Sequence, residues 1–241
     1  MNPILVYCIR DLIRWVRGRW GFVSAMVLPA AWLVFVGLAL PIRFTDHYID
    51  FVTPGILAMT TLSASLAGGG LLIVDRMFGF FNKFLALPPP RESILFGKIL
   101  VITIRGLIQS TIILAIAFLL GARLYSPTQL AMTYLLLFIF GTLLSAFATT
   151  LAIYVDDHDQ YSAVNAMISM PLFFSSSAMM PYNVMPDWLR TFAYVNPLSF
   201  AIDGIRLMQT GVIPLTQIEI LSGLCILVVG LSVHAFRRVK V

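Results

Sequence analysis

The segment FVTPGILAMTTLSASLAGGGLLIV, residues 51–74, decides the class of fold because it runs for 24 residues without a charge. About 20 apolar residues in an α-helix are enough to cross the hydrocarbon core of a bilayer. The segment also carries small residues four apart, in the pairs Ser63/Ala67, Ala64/Gly68 and Ser65/Gly69. Such pairs let helix backbones approach closely. The segment therefore predicts a membrane-spanning helix inside a bundle.

The composition of the whole chain supports the same class. The chain has 241 residues, of which 59% are hydrophobic and 11% are charged, whereas soluble domains carry about 25% charged residues. The N-terminus shows no cleavable signal sequence. Cys8 and Cys225 lie far apart in apolar surroundings, and we interpret them as small hydrophobic residues rather than as a disulfide or metal site. We predict an all-α integral membrane protein.

Six apolar runs predict six spans within one transmembrane domain, residues 1–241. The spans cover about 21–42, 51–74, 99–120, 128–153, 161–179 and 217–236. Residues 3–20 precede them and place Arg10, Arg14 and Arg17 on one helical face, which predicts an amphipathic helix in the membrane interface with its arginines facing lipid phosphates. Prolines break residues 180–216 into pieces too short to cross, so we expect a re-entrant segment.

Lysine and arginine are distributed unevenly along the chain, and this predicts the orientation. Eleven of the 16 lie in residues 10–19, 76–98 and 237–240, which fall on one side of a six-span protein. Positive residues concentrate on the cytoplasmic side of membrane proteins. We therefore expect both termini in the cytoplasm and residues 180–216 outside. The net charge of +5 reflects this orientation and gives no reason to expect a nucleic-acid partner.

The stretch DRMFGFFNKFLALPPPRESILFGK, residues 75–98, joins the second and third predicted spans on the cytoplasmic side. It is too polar to span a bilayer, and its triple proline ends any helix firmly. It is also unusually aromatic for a loop. Exposed aromatic side chains at such a place are typical anchors for a protein partner.

The chain lacks the motifs of the common catalytic sites. Gly97-Lys98 is not a phosphate-binding loop, because the earlier glycine and the following serine or threonine are missing. Zinc-protease, paired-cysteine and serine-nucleophile motifs are missing as well. The run Asp156-Asp157-His158-Asp159 could hold a divalent ion. We favour a solvated turn whose aspartates cap the following helix. Adjacent residues on a tight turn rarely converge on one ion, so we expect no metal there.

The few ionisable residues near or within the membrane are candidate functional residues. They are Arg105, Asp203, Arg206, Glu219 and His234. Arg105 lies about two turns from the cytoplasmic end of its span, so it could reach the interface, pair helices or face a substrate. Asp203 and Arg206 are three residues apart and are expected to form an ion pair.

This arrangement resembles the ABC type-2 permeases, the membrane subunits of exporters for drugs, lipids and glycans. The stretch DRMFGFFNKFLALPPPRESILFGKIL is similar to the inner-loop pattern of that family, and PYNVMPDWLRTFAYVNPLSFAIDGIRLMQTG is similar to its outer pattern. FVTPGILAM resembles the daunorubicin-resistance type most. The chain departs from the family at residues 75–80, where Arg-Glu-x-Gly-Thr is often found.

The resemblance implies specific roles for residues of this chain. The inner loop, 75–98, would be a coupling helix that docks on an ATPase subunit through Arg76, Met77, Phe78, Phe80, Phe81, Lys83, Phe84 and Leu85. Asn196, Pro197, Asp203 and Arg206 carry the outer motif. The resemblance also implies two ATP-binding subunits holding ATP and Mg²⁺, a second permease copy, and a place in the cell membrane. This chain itself would need no cofactor and perform no catalysis.

Two other classes of protein fit the composition, and a purely structural membrane subunit fits it as well. An ion-gradient-driven carrier would need an inverted repeat or a carboxylate near midspan, and neither is evident. A lipid-modifying enzyme could use residues 156–159 as a metal site but would need catalytic partners on the same face. Substrate identity, and the choice between homodimer and heterodimer, stay open at the level of sequence.

Overall fold

The computed structural model describes residues 3–39, 48–79, 92–123 and 125–238. Within these ranges the regular structure is helical, without a strand, which confirms the all-α prediction. The α-helices, numbered along the chain, are α1 Pro3–Arg17, α2 Arg19–Ala39, α3 Tyr48–Gly68, α4 Gly70–Met77, α5 Glu92–Leu119, α6 Pro127–Tyr154, α7 His158–Phe174, α8 Asp187–Val195, α9 Pro197–Gln209 and α10 Leu215–Arg237.

Four of the described helical segments are long and apolar enough to cross a membrane. They are Tyr48–Met77 (α3 with α4), α5, α6 and α10, and the bent pair α1–α2 adds a fifth if it counts as one span. Helix α7, at the fifth predicted span, has 17 residues, somewhat fewer than the ~20 that a perpendicular crossing needs. The predicted count of six spans therefore stays a prediction.

The predicted N-terminal helix, residues 3–20, ends earlier than expected. Helix α1 stops at Arg17, Gly18 separates it from α2, and the two helices are bent by 76° at this break. Glycine is a poor helix former because it loses much backbone freedom on ordering, which accounts for the break. An interfacial position for α1 stays a prediction.

Helix α3 is the centre of the bundle. In the 18-residue apolar stretch of Tyr48–Met77, 78% of the residues are buried. In the corresponding stretch of α10, 11% of the residues are buried. The predicted small-residue pairs divide between two surroundings. Ser65 donates a hydrogen bond to the Gly141 carbonyl of α6 at 3.3 Å, and Gly68 packs on Ile102 of α5. Ser63 and Ala67 face a cavity, which Ala64 and Gly68 also line.

Hydroxyl groups add polar contacts to the close packing. Thr61 and Ser110 lie 3.0 Å apart between α3 and α5, and Ser110 also donates to the Leu57 carbonyl. Thr103 donates to Ser145 across α5 and α6 at 3.4 Å. Hydrogen bonds of this kind contribute about 0.6 kcal/mol each on average in membrane proteins. They therefore fix the helix register more than they stabilise the bundle.

Alternating helix directions place polar clusters at two ends of the bundle. The α1 end contains α1, α4, the starts of α5 and α7, and the ends of α6 and α10, where Arg237 binds Glu92 at 2.8 Å. The α9 end contains the start of α3, the end of α5, and α8 and α9. Here Arg123 pairs with Asp50 at 3.3 Å.

We expect Gly69→Ala to lower stability because the added Cβ would lie 2.5 Å from the backbone carbonyl oxygen of Ala148, which cannot move easily. Overpacking of this kind costs about 1–3 kcal/mol, which thermal unfolding of the purified protein in detergent would show as a lower Tm.

Gly223→Ala is the matched control. This glycine lies within α10, and an added Cβ would meet nothing within 4 Å. We expect an unchanged or raised Tm there, since alanine favours helix more than glycine does. Equal Tm values for the two variants would contradict the close contact between α4 and α6.

Candidate functional site

A buried ionic cluster lies at the α1 end, where the loop between α4 and α5 begins and ends. Lys98 of α5 donates from Nζ to Oδ2 of Asp11 in α1 at 2.6 Å, and also to Oδ2 of Asp75 in α4. The three side chains are only 2–3% exposed. We call these three residues the Lys98 clamp. The clamp joins three helices directly beneath the inner loop.

Two arginines of α1 also turn toward the clamp. Arg10 binds Asp11 at 2.6 Å and Asp75 at 3.4 Å, and Arg14 reaches Asp75 at 3.5 Å. The sequence predicts an arginine face directed toward lipid phosphates. In the structure these two guanidinium groups bind the carboxylates that folding brings together, and a contact of α1 with lipid phosphates stays a prediction.

Arg76, for which a contact with an ATPase subunit is predicted, binds the end of α6 within this chain. Its Nη1 lies 3.2 Å from the carbonyl oxygens of Ala152, Ile153 and Val155, and its Nη2 lies 2.8 Å from Asp156. The last carbonyls of a helix lack partners within the helix and carry partial negative charge. Arg76 thus caps α6 and attaches the start of the inner loop to it.

Among the described members of the predicted coupling set, Met77 and Phe78 are the exposed ones. Their side chains are 65% and 71% exposed. Gly79 follows with φ of +69°, a left-handed conformation that favours glycine and ends α4. The other predicted contacts, Phe80, Phe81, Lys83, Phe84 and Leu85, lie outside the described residues.

The run at residues 156–159 behaves as a helix start. Asp157 is the N-cap of α7 and accepts a hydrogen bond from the backbone N–H of Gln160 at 3.4 Å, which confirms the predicted cap. Asp156 binds Arg76, as described above. Within the described ranges, no group of three or more histidine, cysteine, aspartate or glutamate side chains is placed to hold a metal ion.

Arg105 is buried and connects α5 to α1. It is 8% exposed, and its Nη2 donates to the backbone carbonyl of Asp11 at 2.6 Å. Its guanidinium carbon lies 5.3 Å from the centre of the Trp15 ring, a distance at which a cation is attracted to the aromatic face. Of the predicted alternatives, helix pairing is therefore one that the structure supports. Arg105 also lines a cavity.

At the α9 end, Asn196 joins the end of α7 to the start of α9. Its Oδ1 accepts from the backbone N–H of Leu198 at 2.9 Å, and its Nδ2 donates to the Leu172 carbonyl at 2.7 Å and to Ser175 Oγ at 3.0 Å. Pro197 follows as the first residue of α9, where its fixed φ suits a helix start.

Asp203 and Arg206 form the predicted ion pair, but at 3.9 Å it is long. Their shorter contacts are with other residues. Asp203 accepts from Ser177 at 2.8 Å and from the Tyr182 hydroxyl, and burial with this bond raises the pKa of Tyr182. Arg206 donates to the Phe51 carbonyl at 3.2 Å, and its guanidinium carbon lies 3.9 Å from the centre of the Phe51 ring. The two residues thus fasten α9 to α3 and to residues 177–182.

Several residues of these clusters were not predicted from the sequence. Asp11, Asp75 and Lys98 stand in ordinary positions near helix ends. Along the chain, Lys98 is 23 residues from Asp75 and 87 residues from Asp11. Ser177 and Tyr182 likewise carry no local signal. The sequence shows only that two of these charged residues flank the inner loop and that one lies earlier in the chain. It does not indicate which helix faces meet.

Apolar helices long enough to span a bilayer, with polar clusters at their ends, define a multi-pass membrane protein. The chain belongs to the ABC-2 type transporter family, whose pattern matches residues 3–210. Members of this family are membrane permease subunits of ABC transporters and work with ABC ATP-binding subunits in general.

Individual relatives are similar over most of the chain. A protein named as transport permease ycf38 of Cyanophora paradoxa is 33% identical over 217 residues, 87% of this chain and 75% of the relative. The doxorubicin resistance ABC transporter permease protein DrrC of Mycobacterium tuberculosis is 27% identical over 202 residues, 82% of this chain and 73% of the relative. The daunorubicin resistance ABC transporter permease protein DrrB1 of Streptomyces coeruleorubidus is 24% identical and covers 69% of this chain and 59% of the relative.

We expect Lys98→Met to destabilise the protein strongly, because Asp11 and Asp75 would remain buried without their shared cation. Removing one partner of a buried ion pair costs about 3–5 kcal/mol, and the free energy of unfolding in detergent measures this loss. Arg123→Gln is the control. Arg123 is 78% exposed in its pair with Asp50, and exposed pairs contribute about 0–1 kcal/mol. Similar losses in both variants would contradict the clamp.

Asn196→Ala should also lower stability, because it removes an N-cap and leaves the Leu172 carbonyl without this donor. Loss of such a cap costs about 0.5–2 kcal/mol. Asn183→Ala changes an exposed asparagine of the same segment and should leave the Tm nearly unchanged. A Tm for Asn196→Ala equal to that of Asn183→Ala would refute the proposed attachment of α9 to α7.

Proposed function

We propose that this chain is the permease subunit of an ATP-driven exporter that moves an amphipathic substrate outward by alternating access. One observation carries the proposal: the start of the inner loop is attached firmly to the bundle while Met77 and Phe78 point away from it, 65% and 71% exposed. Within the described residues, the side chains of Met77 and Phe78 do not pack into a hydrophobic core. An ATP-binding subunit seated there would bury them.

The attachments of the inner loop give such a subunit a route to the membrane helices. Arg76 binds the end of α6, and the Lys98 clamp joins α4 to α5 and α1. Force applied at Phe78 therefore reaches four helices through charged, short contacts. Since packed interfaces switch between discrete arrangements rather than deform continuously, a push on the loop would shift these helices as a unit.

We propose that two ATP-binding subunits, holding ATP and Mg²⁺, bind a homodimer of this chain. Work with ATP-binding subunits is general in the family, which supports the partner. We place the α1 end in the cytoplasm of a cell membrane because most of the lysine and arginine lies there. Residues 180–216, at the α9 end, then face outward as the re-entrant segment.

The substrate class is also part of the proposal. Relatives named for doxorubicin and daunorubicin resistance support an amphipathic substrate, either a drug or a lipid. Family membership likewise favours an exporter over the ion-gradient-driven carrier and the lipid-modifying enzyme.

We expect Phe78→Asp to weaken binding of the cognate ATP-binding subunit by about 30-fold or more, the loss typical of an aromatic anchor at an interface. Co-purification of the co-expressed subunit with the tagged permease measures this, and ATP-driven export in membrane vesicles should fall with it. Folding should be unaffected because Phe78 is exposed.

Phe192→Asp is the matched control, since Phe192 is 62% exposed in α8 at the opposite end. We expect it to leave binding of the ATP-binding subunit intact. If Phe78→Asp retained wild-type co-purification and export, the proposed docking site would be refuted.

A further inference from the structure

A cavity of about 390 Å³ lies between α2, α3, α5 and the start of α7. Its volume falls in the range of small-molecule sites, about 300–1,000 Å³. The room comes from small side chains, because Ser24 and Ala25 on α2 face Ala64 and Ala67 on α3 across it. Ala67 is exposed although it belongs to the most buried span of the bundle.

One wall of the cavity is polar and carries an incompletely bonded cation. Arg105 and Gln109 of α5 line it, together with Ser63 and His158. Arg105 is more than nine-tenths buried, yet within the described part of the chain its guanidinium donates one hydrogen bond, to the Asp11 carbonyl. Its Nε is buried there without a partner. A guanidinium has five N–H donors, so most of its bonding capacity is unused.

The carboxylates nearest this wall already have a cation. Asp11 and Asp75 are both bound by Lys98, whereas Arg105 binds a neutral carbonyl. Among the described residues no carboxylate is paired with the Arg105 guanidinium, so an anion in the cavity would supply the opposite charge beside it.

The remaining walls are apolar. Leu28 and Pro29 on α2 and Leu71 and Val74 of α4 complete the cavity. An occupant that fits both kinds of wall has an anionic group beside Arg105 and a hydrocarbon part between α2 and α3. Arginine suits such a group because its planar donors match a carboxylate or a phosphate in pairs.

We propose that this cavity binds an acidic amphiphile, with a carboxylate or phosphate headgroup on Arg105 and an apolar tail along α2 and α3. The proposal rests on the proposed function, in that it names the charge class of the exported molecule. The same chemistry belongs to two sources, a free single-chain acid and an anionic membrane phospholipid.

Quenching of Trp15 fluorescence tests the proposal, because Trp15 lines the cavity. The reporter is the full chain in phosphatidylcholine nanodiscs, with Trp20, Trp32 and Trp188 changed to phenylalanine so that Trp15 alone emits. The probes are a brominated fatty acid, its methyl ester, and brominated phosphatidylglycerol. We expect saturable quenching by the acid and weaker binding of the ester by about tenfold or more, the usual worth of a charge-assisted hydrogen bond.

Two variants with matched controls locate the site. Arg105→Gln should weaken binding of the acid about tenfold, and Arg105→Lys should retain part of it. In case the first variant folds poorly, Ala67→Phe fills the cavity without changing charge and should abolish quenching. Ala115→Phe, at an exposed position of α5 that does not line the cavity, should leave quenching unchanged.

Each outcome decides the proposal. Equal affinity for acid and ester, or unchanged binding in both Arg105→Gln and Ala67→Phe, would overturn it. Saturable quenching by brominated phosphatidylglycerol that the unbrominated acid cannot relieve identifies a resident lipid, and relief of quenching by the unbrominated acid identifies a free amphiphile; both support the proposal. No ATP-binding subunit is present in this assay, so loss of binding here leaves co-purification through Phe78 as an independent result.

Discussion

The ammonium group of Lys98, held between the carboxylates of Asp11 and Asp75 almost out of contact with solvent, is the interaction on which the α1 end depends. Charges buried to this degree are tolerated only when each has a partner, so α1, α4 and α5 cannot separate independently. The position of α1 then places Trp15 and the Asp11 carbonyl beside Arg105, and these residues form part of the cavity wall. The inner loop starts at α4 and returns at α5, two of the three helices that the clamp joins.

The two ends of the bundle are held by different chemistry. At the α1 end, opposite charges meet directly in the clamp. At the α9 end, Arg206 binds mainly backbone carbonyls. Asn196 binds a backbone carbonyl, a backbone N–H and a hydroxyl group, and Asp203 accepts from hydroxyl groups. Between them α3 is held by close backbone packing, as at Gly55, where an added Cβ would lie 2.8 Å from the Ala178 carbonyl oxygen. Under the proposed function, the end with the stronger electrostatic contacts is the one that receives force from the ATP-binding subunits.

A continuous set of contacts connects the proposed docking site with the proposed binding cavity. Phe78 follows Asp75 by three residues, Asp75 binds Lys98, Lys98 binds Asp11, and the backbone of Asp11 binds Arg105 in the cavity wall. An anion on Arg105 would change the charge balance of the same cluster that holds the inner loop. Such contiguous charged contacts are a physical means by which occupancy of the cavity and the position of the loop could influence each other.

The sequence by itself determined the class of protein and the approximate positions of the long apolar helices, because long apolar runs, prolines and capping residues act locally. The predicted span 128–153 is helix Pro127–Tyr154, the span 217–236 is helix Leu215–Arg237, and Asp157 caps α7 as expected. Only the tertiary structure decided that Asp11, Asp75 and Lys98 meet, that Arg76 caps α6, and that Ser63 and Ala67 face a cavity. These outcomes depend on which helix faces come together, and a charged residue near a helix end has the same local sequence whether its partner is lipid, water or a side chain 87 residues away.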